Sequence, residues 1–150
     1  MTTFPEIVLG PTGEVLDLPF GVFTVRISGE QTAGALSVVD SVLAPGALGA
    51  APHIHHAHEE YFLVTTGEVT FDTADGELAI GPGGSVSVPR GRPHGYRNAT
   101  TSPATLTTIF TPAGYETYFR EIAAEAAAGT PITPELLNEL RAKQHTTPWP

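Results

Sequence analysis

The chain has 150 residues, enough for one domain whose folding buries roughly two-thirds of the extended surface. Sixteen Asp and Glu against seven Lys and Arg leave a formal charge of −9, a poor match for a phosphate backbone, so nucleic acid is not an expected partner. Cysteine is absent, which excludes disulfides, thiolate ligands and a cysteine nucleophile, and any metal site must use nitrogen and oxygen.

No apolar stretch approaches the ~20 residues needed to cross a bilayer. The start, Met1-Thr2-Thr3-Phe4-Pro5-Glu6, lacks the basic and apolar regions of a secretory signal, so a cytoplasmic location is expected. Residues 1–19 read as an N-terminal extension with the first strand or strands. From 20 to 111 the chain is a succession of short β-branched or aromatic runs: 20–27, 35–43, 60–65, 69–73, 77–80, 85–88, 96–98 and 105–110. Glycine-bearing turns such as Thr66-Gly67-Glu68 and Asp75-Gly76 separate them, which suits hairpins rather than helical crossovers. The fold class is therefore all-β, a sandwich or barrel.

Beyond Pro112 the period changes. Tyr115, Tyr118, Phe119, Ile122 and Ala126 form the stripe of an amphipathic helix that Gly129 ends. Thr133 as N-cap, Pro134 and Glu135 start a second short helix with Leu136, Leu137 and Leu140 on its apolar face. Both are expected against the barrel exterior or over its mouth. The tail from Gln144 to Pro150 gives no regular signal.

Four of the six histidines crowd into Pro52-His53-Ile54-His55-His56-Ala57-His58-Glu59-Glu60. On a strand, residues two apart share a face, so His53 and His55 can aim two imidazoles at one interior point. Glu60 shares its parity with Phe62 and Val64 and would turn inward as well. His94, far along the chain, would close the site from across the barrel. His56 and His58 fall in the turn between the ligand strands and read as partly solvated loop residues.

Two spaced strings sharpen this reading. His53, His55, Glu60 and Gly67 fit G-x5-H-x-H-x(3,4)-E-x6-G, and Gly83, Pro89, Gly91, His94 and Asn98 fit G-x5-P-x-G-x2-H-x3-N at every fixed position. Here the chain resembles the cupin superfamily; its one departure is Ala47, which stands where the leading glycine belongs, with Gly46 and Gly49 nearby. The resemblance implies a jelly-roll β-barrel with short C-terminal helices and one divalent transition metal per chain, held by His53, His55, Glu60 and His94. It also selects Glu60 over Glu59, since only Glu60 precedes Gly67 by the six-residue gap. Three imidazoles and a carboxylate suit Fe, Mn, Ni, Co, Cu or Zn and leave coordination positions free for substrate or dioxygen.

The order of Thr32-Ala33-Gly34-Ala35-Leu36-Ser37, the first motif, Pro89-Arg90-Gly91 and the segment from Pro112 to Glu121 is similar to single-domain bacterial cupins of the quercetin 2,3-dioxygenase-like group. The implied reaction is dioxygen-dependent opening of a flavonol heterocycle with loss of carbon monoxide, Glu60 serving as ligand and catalytic proton acceptor. Phe62, Phe71, Val86 and Val88 would make the cavity apolar, and Tyr96 could touch substrate or orient a ligand imidazole. Two alternatives stay open: a non-redox, metal-dependent cyclase, isomerase or lyase acting on an enolisable, polyketide-like substrate, and a small-molecule-binding cupin without turnover. The expected partners are a small-molecule substrate and a second copy of the chain in a homodimer.

Overall fold

Burial alternates along almost every strand, and that alternation builds two facing sheets. The computed structural model describes residues 6–150. Strands β1 (Glu14–Leu18), β2 (Gly21–Ile27), β3 (Ser37–Leu43), β4 (Leu48–His55), β5 (Glu59–Thr66), β6 (Val69–Thr73), β7 (Gly76–Ile80), β8 (Ser85–Val88), β9 (Pro93–Arg97) and β10 (Ala104–Thr111) precede helices α1 (Glu116–Ala127) and α2 (Pro134–Ala142) and a last strand, β11 (Thr146–Pro148). One sheet has the order β1-β2-β3-β10-β5-β8 and the other β11-β4-β9-β6-β7, with every described pairing antiparallel.

From β3 to β10 the chain repeatedly changes sheet, and this threading makes the jelly-roll barrel that the resemblance implied. In β10, Ala104, Leu106, Thr108 and Phe110 face inward, and in β5 the inward set is Glu60, Phe62 and Val64. Phe23, Phe62, Phe110 and Leu43 are fully enclosed at the centre of the core. Each large side chain so buried contributes on the order of 1.5–3 kcal/mol relative to exposure.

The strand expectations hold in outline, with three differences. The expected run 96–98 begins earlier as β9, and Asn98 lies past its end. Residues 48–55 form a full strand, although Leu-Gly-Ala-Ala-Pro has little β propensity; its pairing with β9 is interrupted by register shifts between Leu48 and His53. The tail, which carried no regular signal, contributes β11, paired to β4.

Both helices form as the periodicity predicts. The α1 stripe buries Tyr118, Phe119 and Ile122, with Phe119 against Phe23 at 4.8 Å between ring centroids. Glu116 opens α1, where a negative charge complements the helix dipole, and its buried carboxylate accepts from the Gly114 N–H (2.8 Å) and the Gly29 N–H (2.7 Å). That pair of bonds ties α1 to the β2–β3 loop. In α2, Thr133 Oγ1 accepts from the Leu136 N–H at 3.1 Å, the expected cap. Of the described residues, no helix is long and apolar enough to cross a membrane.

Candidate metal centre

Three elements drawn from both sheets bring the four proposed ligands together. β4 supplies His53 and His55 on its inward face, β9 supplies His94, and β5 supplies Glu60 from the opposite sheet. His53 and His94 are direct register partners. One donor atom from each of the four lies within 4.8 Å of the others. Glu60 Oε2 is 2.7 Å from Nε2 of His55 and 2.7 Å from Nε2 of His94, and the Nε2 atoms of His53 and His55 are 3.0 Å apart. All four side chains are at most 3 % exposed.

The outer ring nitrogens decide which tautomers are present. His53 Nδ1 lies 2.7 Å from the Ala51 carbonyl, which can only accept, so Nδ1 carries the proton. His94 Nδ1 faces the Arg92 carbonyl, at 3.4 Å. His55 Nδ1 faces the Thr146 hydroxyl at 2.8 Å; that hydroxyl itself donates to the Gln144 carbonyl, leaving its oxygen to accept from His55. With Nδ1 protonated, each ring would present Nε2 inward as a lone pair, and a bound cation would take the place of the 2.7 Å contacts that Glu60 Oε2 makes to Nε2 of His55 and His94.

Three ring nitrogens and a carboxylate oxygen converge on one point, a nitrogen and oxygen donor set whose lone pairs a central cation would share. The donor set fits a divalent transition ion on this ground. Protonation states agree. Burial, with the neighbouring His94 and His55 rings, holds His53 well below the ordinary imidazole value, and burial lowers His55 against the pull of Glu60. Burial opposes ionisation of Glu60, but His55 and His94 outweigh it and keep the carboxyl well below its usual range. Neutral imidazoles and an ionised carboxylate are the forms that bind metal.

Around the cluster the walls are aromatic. Phe62, Phe71 and Tyr96, all buried, pack together beside His94, with Phe62 5.9 Å from the His94 ring. Burial pushes the Tyr96 phenol far above its ordinary value, so it stays protonated. Val88 is buried and Val86 partly so. Gly49 is required here: a Cβ at that position would collide with the Tyr96 ring. Asn98 does not reach the cluster; its side chain braces the following loop through the Leu43 and Ser102 carbonyls and the Thr100 N–H.

The histidines of the turn divide. His56 is exposed, with Nε2 2.8 Å from Thr147 Oγ1, as expected of a loop residue. His58 departs from the solvated reading: it is 5 % exposed, stacks 4.1 Å from His55, and its Nε2 has no hydrogen-bond partner. Tyr115 fills the space that draws it in, 5.0 Å from the His58 ring and 4.7 Å from that of His55. Burial lowers the His58 pKa to about 3.

Three neighbours of the site escaped sequence reasoning. Thr146 anchors His55 across 91 residues of chain, Tyr115 packs on His55, and Arg141 of α2 lines an inner cavity with His53, Glu60 and Tyr96. That cavity holds about 10 Å³, room for roughly one water. Outside it, a groove of about 220 Å³ runs past Arg141 toward Leu48 and Trp149.

Comparison with known proteins places this geometry in context. Residues 39–110 match the cupin domain family. In structure the chain is similar to KdgF from Halomonas sp., with a TM-score of 0.60, 19 % identity and coverage of 69 % of this chain and 92 % of that one. It is also similar to the polyketide cyclase RemF from Streptomyces resistomycificus, with a TM-score of 0.58, 18 % identity and coverage of 71 % and 78 %. For a sugar phosphate isomerase from Silicibacter pomeroyi the corresponding values are 0.54, 23 %, 64 % and 71 %. At such identities the likeness concerns the fold. No curated protein sequence matches the chain.

Proposed function

We propose that this chain, whose residues 39–110 match the cupin domain family, is a metal-dependent dioxygenase acting on an enolic or phenolic substrate, in the manner of the quercetinase-like group. The observation that carries this reading is the convergence of three Nε2 lone pairs and the Glu60 carboxylate, each imidazole pre-oriented by its own Nδ1 contact. A bound transition ion would supply Lewis acidity and the capacity to engage dioxygen.

The chain's own residues do the rest. The Glu60 carboxylate borders the inner cavity and is the base placed to accept the proton of an entering enol or phenol, whose acidity a bound ion would raise. Tyr115, Tyr118 and Phe119 close the cavity and keep bulk water from the deprotonated substrate. Phe62, Phe71 and Tyr96 form a rigid apolar backing behind His94 that holds the ring orientation. A three-ring flavonol exceeds the inner cavity, so a compact substrate with its enolic oxygen inward and its body in the outer groove suits these dimensions better.

A second reading, a non-redox isomerase, cyclase or lyase of an enolisable substrate, draws on the same Glu60 base, since proton abstraction needs no oxidant. One experiment separates the two. Elemental analysis of the purified protein should give about one transition metal per chain, and an oxygen-electrode screen over flavonols, β-diketones and polyphenols should find dioxygen consumed with substrate. Turnover that continues under strict anaerobiosis would refute the dioxygenase and leave the non-redox reading; a protein that takes up no metal when supplemented would refute both.

A further inference from the structure

Seven cationic side chains share this molecule with sixteen acidic ones, so carboxylate partners are plentiful. Arg26, Arg90, Arg97, Arg120 and Lys143 each take one at 2.6–3.0 Å, and Arg92 stays exposed in its turn. Arg141 behaves differently. It is 5 % exposed, forms no ion pair among the described residues, and its Nε has no hydrogen-bond partner. Its guanidinium lies 5.2 Å from the centre of the Tyr118 ring and hydrogen-bonds to the Tyr115 hydroxyl, neutral contacts that steady the cation without neutralising it. A buried charge left unpaired is strongly unfavourable, and an acidic chain could have supplied a partner from many positions.

Location gives the unpaired charge a use. Arg141 borders the inner cavity beside His53 and Glu60, and it is also the charged side chain lining the outer groove with Trp149, Leu48 and Leu137. It therefore stands at the partition between solvent-side groove and ligand cluster. The guanidinium beside this cavity has no carboxylate partner among the described residues, and an entering anion would supply one.

We propose that Arg141 anchors the substrate, and that the substrate is a small organic acid whose carboxylate reaches Arg141 from the Trp149 groove while its enolic or keto oxygen faces the histidine cluster. The planar fork of the guanidinium matches a carboxylate bidentately. The orientation of the second oxygen rests on the proposed metal-dependent function; the anchoring needs only Arg141 and the groove.

Trp149 is the chain's single tryptophan and lines this groove, so its fluorescence reports on occupancy. Malonate and its neutral analogue malonamide are titrated at constant ionic strength into metal-loaded and chelator-treated protein, followed by Trp149 fluorescence and by calorimetry. Malonate should bind saturably and malonamide should not, in both preparations. Arg141→Met should weaken malonate binding roughly tenfold or more while leaving metal content unchanged, and Arg141→Lys, which keeps the charge but loses the fork, should weaken it less. Arg141→Met also removes the contacts to Tyr115 and Tyr118, so a fall in Tm does not bear on the anchoring, which is read from malonate affinity at a temperature where the variant is folded. Should Arg141→Met not fold, the Lys variant carries the affinity comparison. Equal malonate affinity in wild type and variant, equal binding of malonamide, or no saturable malonate binding through the millimolar range would overturn the proposal. Arg141-dependent malonate binding by a protein that takes up no metal even after supplementation would uphold the anchoring while refuting the metal-dependent reading.

Discussion

His55 Nδ1 and Thr146 Oγ1 sit 2.8 Å apart, joining an interior ligand on β4 to the short strand that follows both helices. The bond fixes the tautomer that turns His55 Nε2 toward Glu60. Such outer contacts commonly govern metal affinity by about 10- to 100-fold. Thr146→Val keeps the shape and removes the acceptor. Its metal affinity, measured by competition with a chromophoric chelator, should fall by about that factor while β11 stays paired; unchanged affinity would show that His55 needs no such anchor.

Removal of a ligand should act more strongly than removal of a bystander. His55→Ala and His94→Ala should lose most bound metal, whereas His145→Ala, at an exposed turn position with φ 52°, should retain it. Elemental analysis of the three variants after identical supplementation makes the comparison. Equal loss in all three would point to general destabilisation instead.

Tyr118 carries a buried hydroxyl with no hydrogen-bond partner, and burial pushes its pKa up to about 12, the Arg141 charge partly offsetting that rise. Because the unfolded phenol ionises near 10, the native state holds its proton through a range in which the unfolded chain releases it. Stability from this group is complete below pH 10 and drains away as pH rises toward 12. Tyr118→Phe should raise neutral-pH stability by about 1 kcal/mol and flatten that alkaline decline. Chemical denaturation across pH 8 to 11 tests both; a loss of stability at neutral pH would mean the hydroxyl has a partner in solution.

Gly49 lets the Tyr96 ring lie against β4. Gly49→Ala would force a backbone-borne methyl into that ring, and overpacking of this kind costs about 1–3 kcal/mol. Since Tyr96 backs the ligand cluster through Phe62, metal affinity should fall along with Tm. Gly46→Ala, on a loop where a Cβ meets nothing within 4 Å but φ is 72°, should cost stability alone. A loss of metal affinity in Gly46→Ala as large as in Gly49→Ala would break this distinction.

Much of the architecture can be read along the chain because it is encoded locally. Alternation in Ala104–Thr111 specifies β10, and Thr133 with Pro134 specifies the start of α2. The ligand set is legible for another reason: His53, His55, Glu60 and His94 occupy fixed positions of the two spaced strings through which the chain resembles the cupins. What stayed hidden depends on tertiary placement. β4 has a Gly-Ala-Ala-Pro start that tertiary pairing overrides, and β11 is three residues long and ends in proline. His58 has the sequence context of a turn, and it is buried because His55 and two residues far away in sequence, Phe110 and Tyr115, pack around it. Arg141 reads as an ordinary basic residue in the last turn of a helix until α2 is laid across the barrel.

Glu60 and the three histidines belong to opposite sheets, and this has a consequence for biogenesis. Neither half of the barrel owns all four donors, so the complete coordination shell is assembled only when the two layers dock. Once seated, the ion would rivet one layer to the other, so metallated protein should unfold more slowly and resist proteases longer than the same chain stripped of metal.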